Sequence, residues 1–160
     1  MATIFEKVRQ AKSTYPVDVD KLAQSLGISV VYVTMPEEVS GALVRKGDLY
    51  VITINKHHPR TRQRFTLAHE LGHYIHHRPI IGDGVNDSKT YRTIASDRHY
   101  NPRILPEHET EANQFAASLL MPMDIVERLR AHGLNAEEIA KELQVSRHAA
   151  SIRIGVPYNS

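Results

Sequence analysis

The chain contains no cysteine. Its absence excludes disulfides and every zinc site built on thiolates, and it suits a reducing compartment. Long apolar runs are missing as well. No stretch approaches the ~20 residues that cross a bilayer as a helix. The opening Met1-Ala2-Thr3-Ile4-Phe5-Glu6-Lys7 has no apolar core of the signal-peptide kind. A cytoplasmic location without membrane attachment is the expectation. Nor is there an excess of one charge: 20 Lys and Arg face 18 Asp and Glu, a net charge of +2, with the cations scattered. Such a balance does not suit a protein held to nucleic acid mainly through phosphates.

What remains is a chain of 160 residues, 41% hydrophobic, long enough to bury a single core. Ten histidines stand out, because His is the commonest metal ligand and titrates near neutrality. No internal repeat or low-complexity segment interrupts the pattern.

Periodicity and breakers divide the chain. Residues 2–12 and 18–26 read as short helices, separated at Pro16 and ended by Gly27. Ile28 to Val33, Gly41 to Val44 and Leu49 to Asn55 read as strands, the last two joined by a turn over Arg45-Lys46-Gly47-Asp48. A three-stranded, mostly antiparallel sheet is expected. Residues 61–77 carry a helical pattern. Residues 79–106, rich in Pro, Gly, Asp, Asn and Arg, read as one long loop, functional or mobile, that can serve as a lid. Pro106 opens a helix over Glu107 to Leu120 that Met121-Pro122 stops; another spans 123–132, and 134–154 forms two short helices. The fold class is α+β: a domain over residues 1–133 and a helix-turn-helix-like tail over 134–160, packed on the same domain.

The helix over 61–77 contains His69-Glu70-Leu71-Gly72-His73, an H-E-x-x-H motif. At about 100° per residue, positions i and i+4 fall within ~40° of one another, so both imidazoles can reach one metal ion. Glu70 lies ~60° from His73, on the flank of that face, where a carboxylate suits a base acting on the attacking water. Leu67, Leu71 and Tyr74 form an apolar back. The alternative is a helix with two incidental histidines. His76 returns to the face of His69 but stands ~10 Å along the axis, too far to share its site, and His76 and His77 are read as surface or helix-end residues. The elongated zinc motif that adds a Gly and a third His is excluded, because His76 and Pro79 occupy those places.

A catalytic zinc site takes three protein ligands and leaves one position open. Glu107, Glu109 and Glu111 are the candidates for the third. Glu109 shares a stripe with Ala112, Asn113, Ala116 and Leu120, whereas Glu107 and Glu111 lie ~160° away on the polar side. The alanines permit close approach to another backbone. Asn113, one turn on, can accept a hydrogen bond from the outer nitrogen of a liganding histidine and fix its tautomer. The ligand set is therefore His69, His73 and Glu109 around Zn2+, with Glu70 as the catalytic base and Asn113 behind a ligand.

Arg62-Gln63-Arg64-Phe65-Thr66-Leu67-Ala68-His69-Glu70-Leu71-Gly72-His73 and Glu109-Thr110-Glu111-Ala112-Asn113-Gln114-Phe115-Ala116-Ala117-Ser118-Leu119-Leu120-Met121-Pro122 together resemble the ImmA/IrrE-type metallopeptidase family. Gly82-Asp83-Gly84 and the preceding sheet add to the likeness, which covers nearly the whole chain. The resemblance implies a small zincin of the two-His, one-Glu type. It implies cytoplasmic endoproteolysis of a specific regulatory protein, typically a helix-turn-helix repressor encoded beside the peptidase, which derepresses stress or mobile-element genes. His69, His73 and Glu109 map onto the family's ligands and Glu70 onto its catalytic residue.

The tail keeps a rival reading open. Asn135 to Arg153 resembles a helix-turn-helix, with Asn135 and Ser146 as caps. Its base-reading candidates are only Arg147, His148, Ser151 and Arg153, and Gln144 stands where many such turns carry Gly. A pair packed on the domain or docking a partner is preferred to a DNA-binding regulator or a toxin–antitoxin component. Glu70 argues against both rivals, since a structural metal site has no use for a base. For the oxyanion donor, Tyr91, Arg92, His99 and Tyr100 in the long loop are the candidates. Oligomeric state leaves no mark on the sequence.

Overall fold

Local signals set where the first elements begin. Thr3 caps α1 (Ile4–Ala11) by accepting the Glu6 N–H, and Glu6 accepts the Thr3 N–H in return. Asp18 caps α2 (Val19–Ser25) by accepting the Lys21 N–H. The computed structural model describes residues 1–82, 84–87 and 103–156.

Strands β1 (Ser29–Val33), β2 (Gly41–Lys46), β3 (Leu49–Asn55) and β4 (Gly84–Asp87) form one mixed sheet in the order β1-β3-β2-β4. β1 runs parallel to β3, and β2 is antiparallel to both β3 and β4. Lys46 pairs with Leu49, so the turn needs only Gly47 and Asp48, and Gly47 takes a φ of +65° that favours glycine. The sheet thus gains a fourth strand on the expected three. Gly-Val-Asn-Asp has little intrinsic strand preference. It is held by the backbone ladder that the open edge of β2 offers, which periodicity does not reveal.

Helix α3 (Arg60–Ile81) packs on this sheet. It continues past the expected end at residue 77 and through Pro79, which sits in the last turn, where little helix remains to be broken. The expected loop over 79–106 therefore begins with the end of α3 and β4; residues 83 and 88–102 lie outside the described residues. α4 (Pro106–Leu120) crosses α3, followed by α5 (Met123–Ala131), α6 (Ala136–Leu143) and α7 (Arg147–Ile154). The core is continuous from Leu43, Ile52 and Ile54 of the sheet through Leu67 and Leu71 to Leu119 and Leu120, and on to Ile139 and Leu143. Arg64, itself buried, donates to the carbonyls of Val17 (2.8 Å), Gln144 (3.0 Å) and Leu143 (3.3 Å). Among the described residues no helix is long and apolar enough to cross a membrane.

Candidate active site

The site is made where α3 and α4 approach most closely. At Gly72 a Cβ would stand 3.2 Å from both Ala112 Cα and the Phe115 ring, so the absent side chain and the small Ala112 let the two backbones meet. Pro106 opens α4, and His108 Nδ1 accepts the Leu105 N–H at 2.9 Å, fixing its first turn. This fixes the register in which the stripe Glu109–Asn113 faces His69 and His73.

The side chains on the facing stripes come together. Glu109 places Oε1 2.7 Å from His73 Nε2 and Oε2 3.6 Å from His69 Nε2. Glu70 Oε1 is 3.9 Å from His69 Nε2, and donor atoms of His69, Glu70 and His73 all lie within 4.8 Å of one another. His69 donates from Nδ1 to Asn113 Oδ1 at 2.7 Å. With an oxygen as that partner, the ring carries a proton on Nδ1, and its Nε2 is the atom that faces the carboxylates. Glu107 is exposed, and Glu111 is half exposed, away from the cluster.

His77 is a correction to the sequence reading. It is buried, not at the surface, with Nδ1 2.9 Å from His73 Nδ1 and Nε2 3.6 Å from Glu111 Oε2. The spacing from His73 to His77 is the same four residues that pair His69 with His73, and it was the signal available. His76 is exposed, against the Phe115 ring. Tyr91, Arg92, His99 and Tyr100, the expected oxyanion donors, lie outside the described residues.

The electrostatics are unusual for a core. Both Glu70 oxygens, both Glu109 oxygens and the Nε2 atoms of His69 and His73 are shut off from water. Burial acts to raise the Glu109 carboxyl, but hydrogen bonds and charge attraction from His69 and His73 outweigh it and hold it well below the usual carboxylate range. Burial, together with the neighbouring His73, pushes His77 below the ordinary imidazole value. Burying two carboxylates costs far more than apolar packing of the same volume. A cluster like this marks a site.

The donor set fits a metal. Ligands ~2.0–2.2 Å from a tetrahedral zinc stand roughly 3.4 Å from one another. The spacings of 2.7 and 3.6 Å between Glu109 and the two imidazoles bracket that value. Two imidazoles and a carboxylate form a three-ligand set of the kind that leaves a position open.

The model of the peptidase family described as the IrrE N-terminal-like domain matches residues 23–155. The chain is 36% identical over 104 residues to the radiation response metalloprotease IrrE of Deinococcus radiodurans, covering 62% of this chain and 29% of that protein. It is 33% identical over 105 residues to the radiation response metalloprotease IrrE of Deinococcus deserti, covering 63% and 34% respectively. The chain spans about a third of the length of these relatives. It belongs to the IrrE N-terminal-like peptidase family, with the small zincin-like α+β fold that its motifs imply.

Proposed function

We propose, from membership of this peptidase family, that the chain is a zinc-dependent endopeptidase acting in the cytoplasm on a specific regulatory protein. The observation that carries the reading is the buried meeting of Glu109 with His69 and His73 beside Glu70. His69, His73 and Glu109 hold the metal in this proposal. When bound, zinc supplies Lewis-acid chemistry, polarising the scissile carbonyl and acidifying water near it.

The chain's own residues supply the rest. Asn113 holds the His69 ring in the tautomer whose Nε2 faces the carboxylates. Glu70, too far round the helix to share the ligand face fully, takes a proton from the attacking water at a carboxylate oxygen. It then delivers that proton to the leaving amine, so one group serves as base and then as acid. Its complete burial keeps bulk water from competing for the proton.

The substrate in this proposal is a helix-turn-helix repressor, whose cutting derepresses stress or mobile-element genes. Support comes from the family and from the radiation response in the names of both relatives. The division into residues 1–133 and 134–160 is proposed as one of sequence pattern within a single folding unit.

The test compares the wild type with Glu70→Gln on two substrates, casein and the repressor encoded nearest to this gene. Wild type should cut the repressor and leave casein almost intact, while the variant binds zinc and cuts neither. Retained cleavage by Glu70→Gln removes that residue from its role. Efficient casein digestion beside an untouched repressor removes the specific substrate.

A further inference from the structure

Beside the cluster lies a groove of about 670 Å3, lined from the first turns of α3, the second half of α4, and α7 with the turn before it. Its lining is largely apolar: Phe65, Ala117, Met121, Val145, Ala149 and Ile152. Arg62 and Arg153 add positive charge, and no Asp or Glu lines it. Both guanidinium groups are held in place, Arg62 by Ser40 Oγ at 3.1 Å and Arg153 by the Met121 carbonyl at 3.0 Å. Ile152 is 67% exposed, an aliphatic side chain left in water on the last turns of α7.

The groove meets the cluster at Asn113. Asn113 lines it and also accepts the His69 Nδ1–H. Phe65 is one turn before His69, and Asn113 one turn after Glu109, so the groove begins ~5.4 Å along the helices from the cluster. It runs two further turns, to Met121. An extended chain advances ~3.3 Å per residue, so side chains roughly two to five residues from the bond being cut would fall within it.

We propose that this groove is a docking subsite for an acidic, apolar segment of the protein substrate. Leu-like or aromatic side chains enter between Phe65, Met121 and Ile152, and carboxylates meet Arg62 and Arg153. The proposal rests on the peptidase reading and names the chemistry by which that site selects its substrate. It also gives α7 a role other than reading DNA. Surfaces that bind a duplex are polar and strongly basic, whereas α7 turns Ala149 and Ile152 into an apolar wall.

The test uses fluorescence polarisation with the Glu70→Gln variant of this chain, which cannot consume its ligand. The probes are three short labelled peptides: alternating Leu and Glu, its Leu/Lys counterpart and its Ser/Glu counterpart. The Leu/Glu peptide should bind at least about tenfold tighter than either. Ile152→Glu should abolish that advantage. Arg62→Glu should reverse the charge preference in favour of Leu/Lys, an inversion that a merely damaged fold cannot produce. Equal binding of Leu/Glu and Leu/Lys, or indifference to both substitutions, overturns the proposal. So does a duplex DNA that displaces the peptide at a lower concentration than the peptide itself needs. Wild-type cleavage of the repressor separates the two readings. Glu70-dependent cleavage without peptide discrimination removes the subsite and leaves the peptidase. Discrimination without any Glu70-dependent cleavage keeps the groove and removes the peptidase.

Discussion

His69 and His73 differ in what stands behind them, and the difference sets their expected sensitivity. His69 is oriented by the amide oxygen of Asn113, an acceptor in any protonation state of its neighbours. His73 is oriented by another imidazole. If His73 Nε2 presents its lone pair to a metal, its Nδ1–H must donate to His77 Nδ1 at 2.9 Å. His77 must then be neutral with its own proton on Nε2, toward Glu111. His77→Ala should therefore lower zinc affinity by about 10–100-fold, the usual effect of losing such an outer partner. Glu111→Ala, which acts through a longer contact, should change it by less than about tenfold. Glu109→Ala should lose the metal altogether. Competition against a chromophoric chelator reads all three, and the reverse order for Glu109 and Glu111 would show the helix phase to be wrong. The proximity of His69, Glu70, His73, Glu109 and Asn113 was legible because helical spacing sets each group on one stripe and the H-E-x-x-H motif calls for a third ligand from another helix. His77 was not. A helix taken to stop at 77 leaves its last residue in water, whereas the ring packs between His73 of α3 and His108 of α4.

At the scale of elements, the α3–α4 crossing matters more than either helix alone. Gly72→Ala would improve helix propensity by about 1 kcal/mol in an exposed helix. Here the new methyl meets the backbone of Ala112 at 3.2 Å, which must yield by a few tenths of an ångström. The expected sign is therefore reversed, a net loss of about 1 kcal/mol in urea denaturation together with weaker zinc binding, as Glu109 is carried away from the imidazoles. Gln144 offers the opposite case. It is the non-glycine residue with positive φ among those described, at 54°, where it ends α6. Gln144→Gly should raise stability by up to about 1 kcal/mol, since the left-handed strain is larger than the entropy glycine adds. A loss of stability would mean that the Gln144 side chain contributes more than its backbone costs. Most helices and three strands were legible from caps, breakers and alternation. β4 was not, because its pairing comes from the edge of β2 and its four residues carry no pattern of their own.

At the scale of the whole molecule, the question is whether α6 and α7 are an appendage or a part of the domain. Ile139, Leu143, Val145 and Ala150 join the same core cluster as Leu67 and Leu71. Arg64 ties the two together, since its guanidinium bonds the carbonyls of Leu143 and Gln144 at the C-terminal end of α6 and of Val17 just before α2. Helix ends leave such carbonyls without partners and carry partial negative charge, so a buried cation suits that place. Arg64→Met keeps a long apolar stem but strands the carbonyls of Val17 and Leu143, which are buried, and of Gln144, which is part-buried. The cost should be about 3 kcal/mol, discounted for water that reaches some of them. For a chain of this length that corresponds to a fall in Tm of roughly 10 °C. The informative part is which segments respond. If residues 1–133 and 134–160 form one cooperative unit, hydrogen exchange should rise together in the peptides covering 60–81 and 136–154, with one far-UV transition. Faster exchange confined to 136–154 would mean that the helical pair unfolds alone. A truncated 1–133 chain sharpens the contrast. As one unit it should fail to give a cooperative transition, because removing α6 and α7 takes Ile139, Leu143, Val145 and Ala150 out of the shared core and leaves Arg64 without two of its carbonyls. A truncated chain that melts at the wild-type temperature would refute the single unit and return the pair to the status of an independent module.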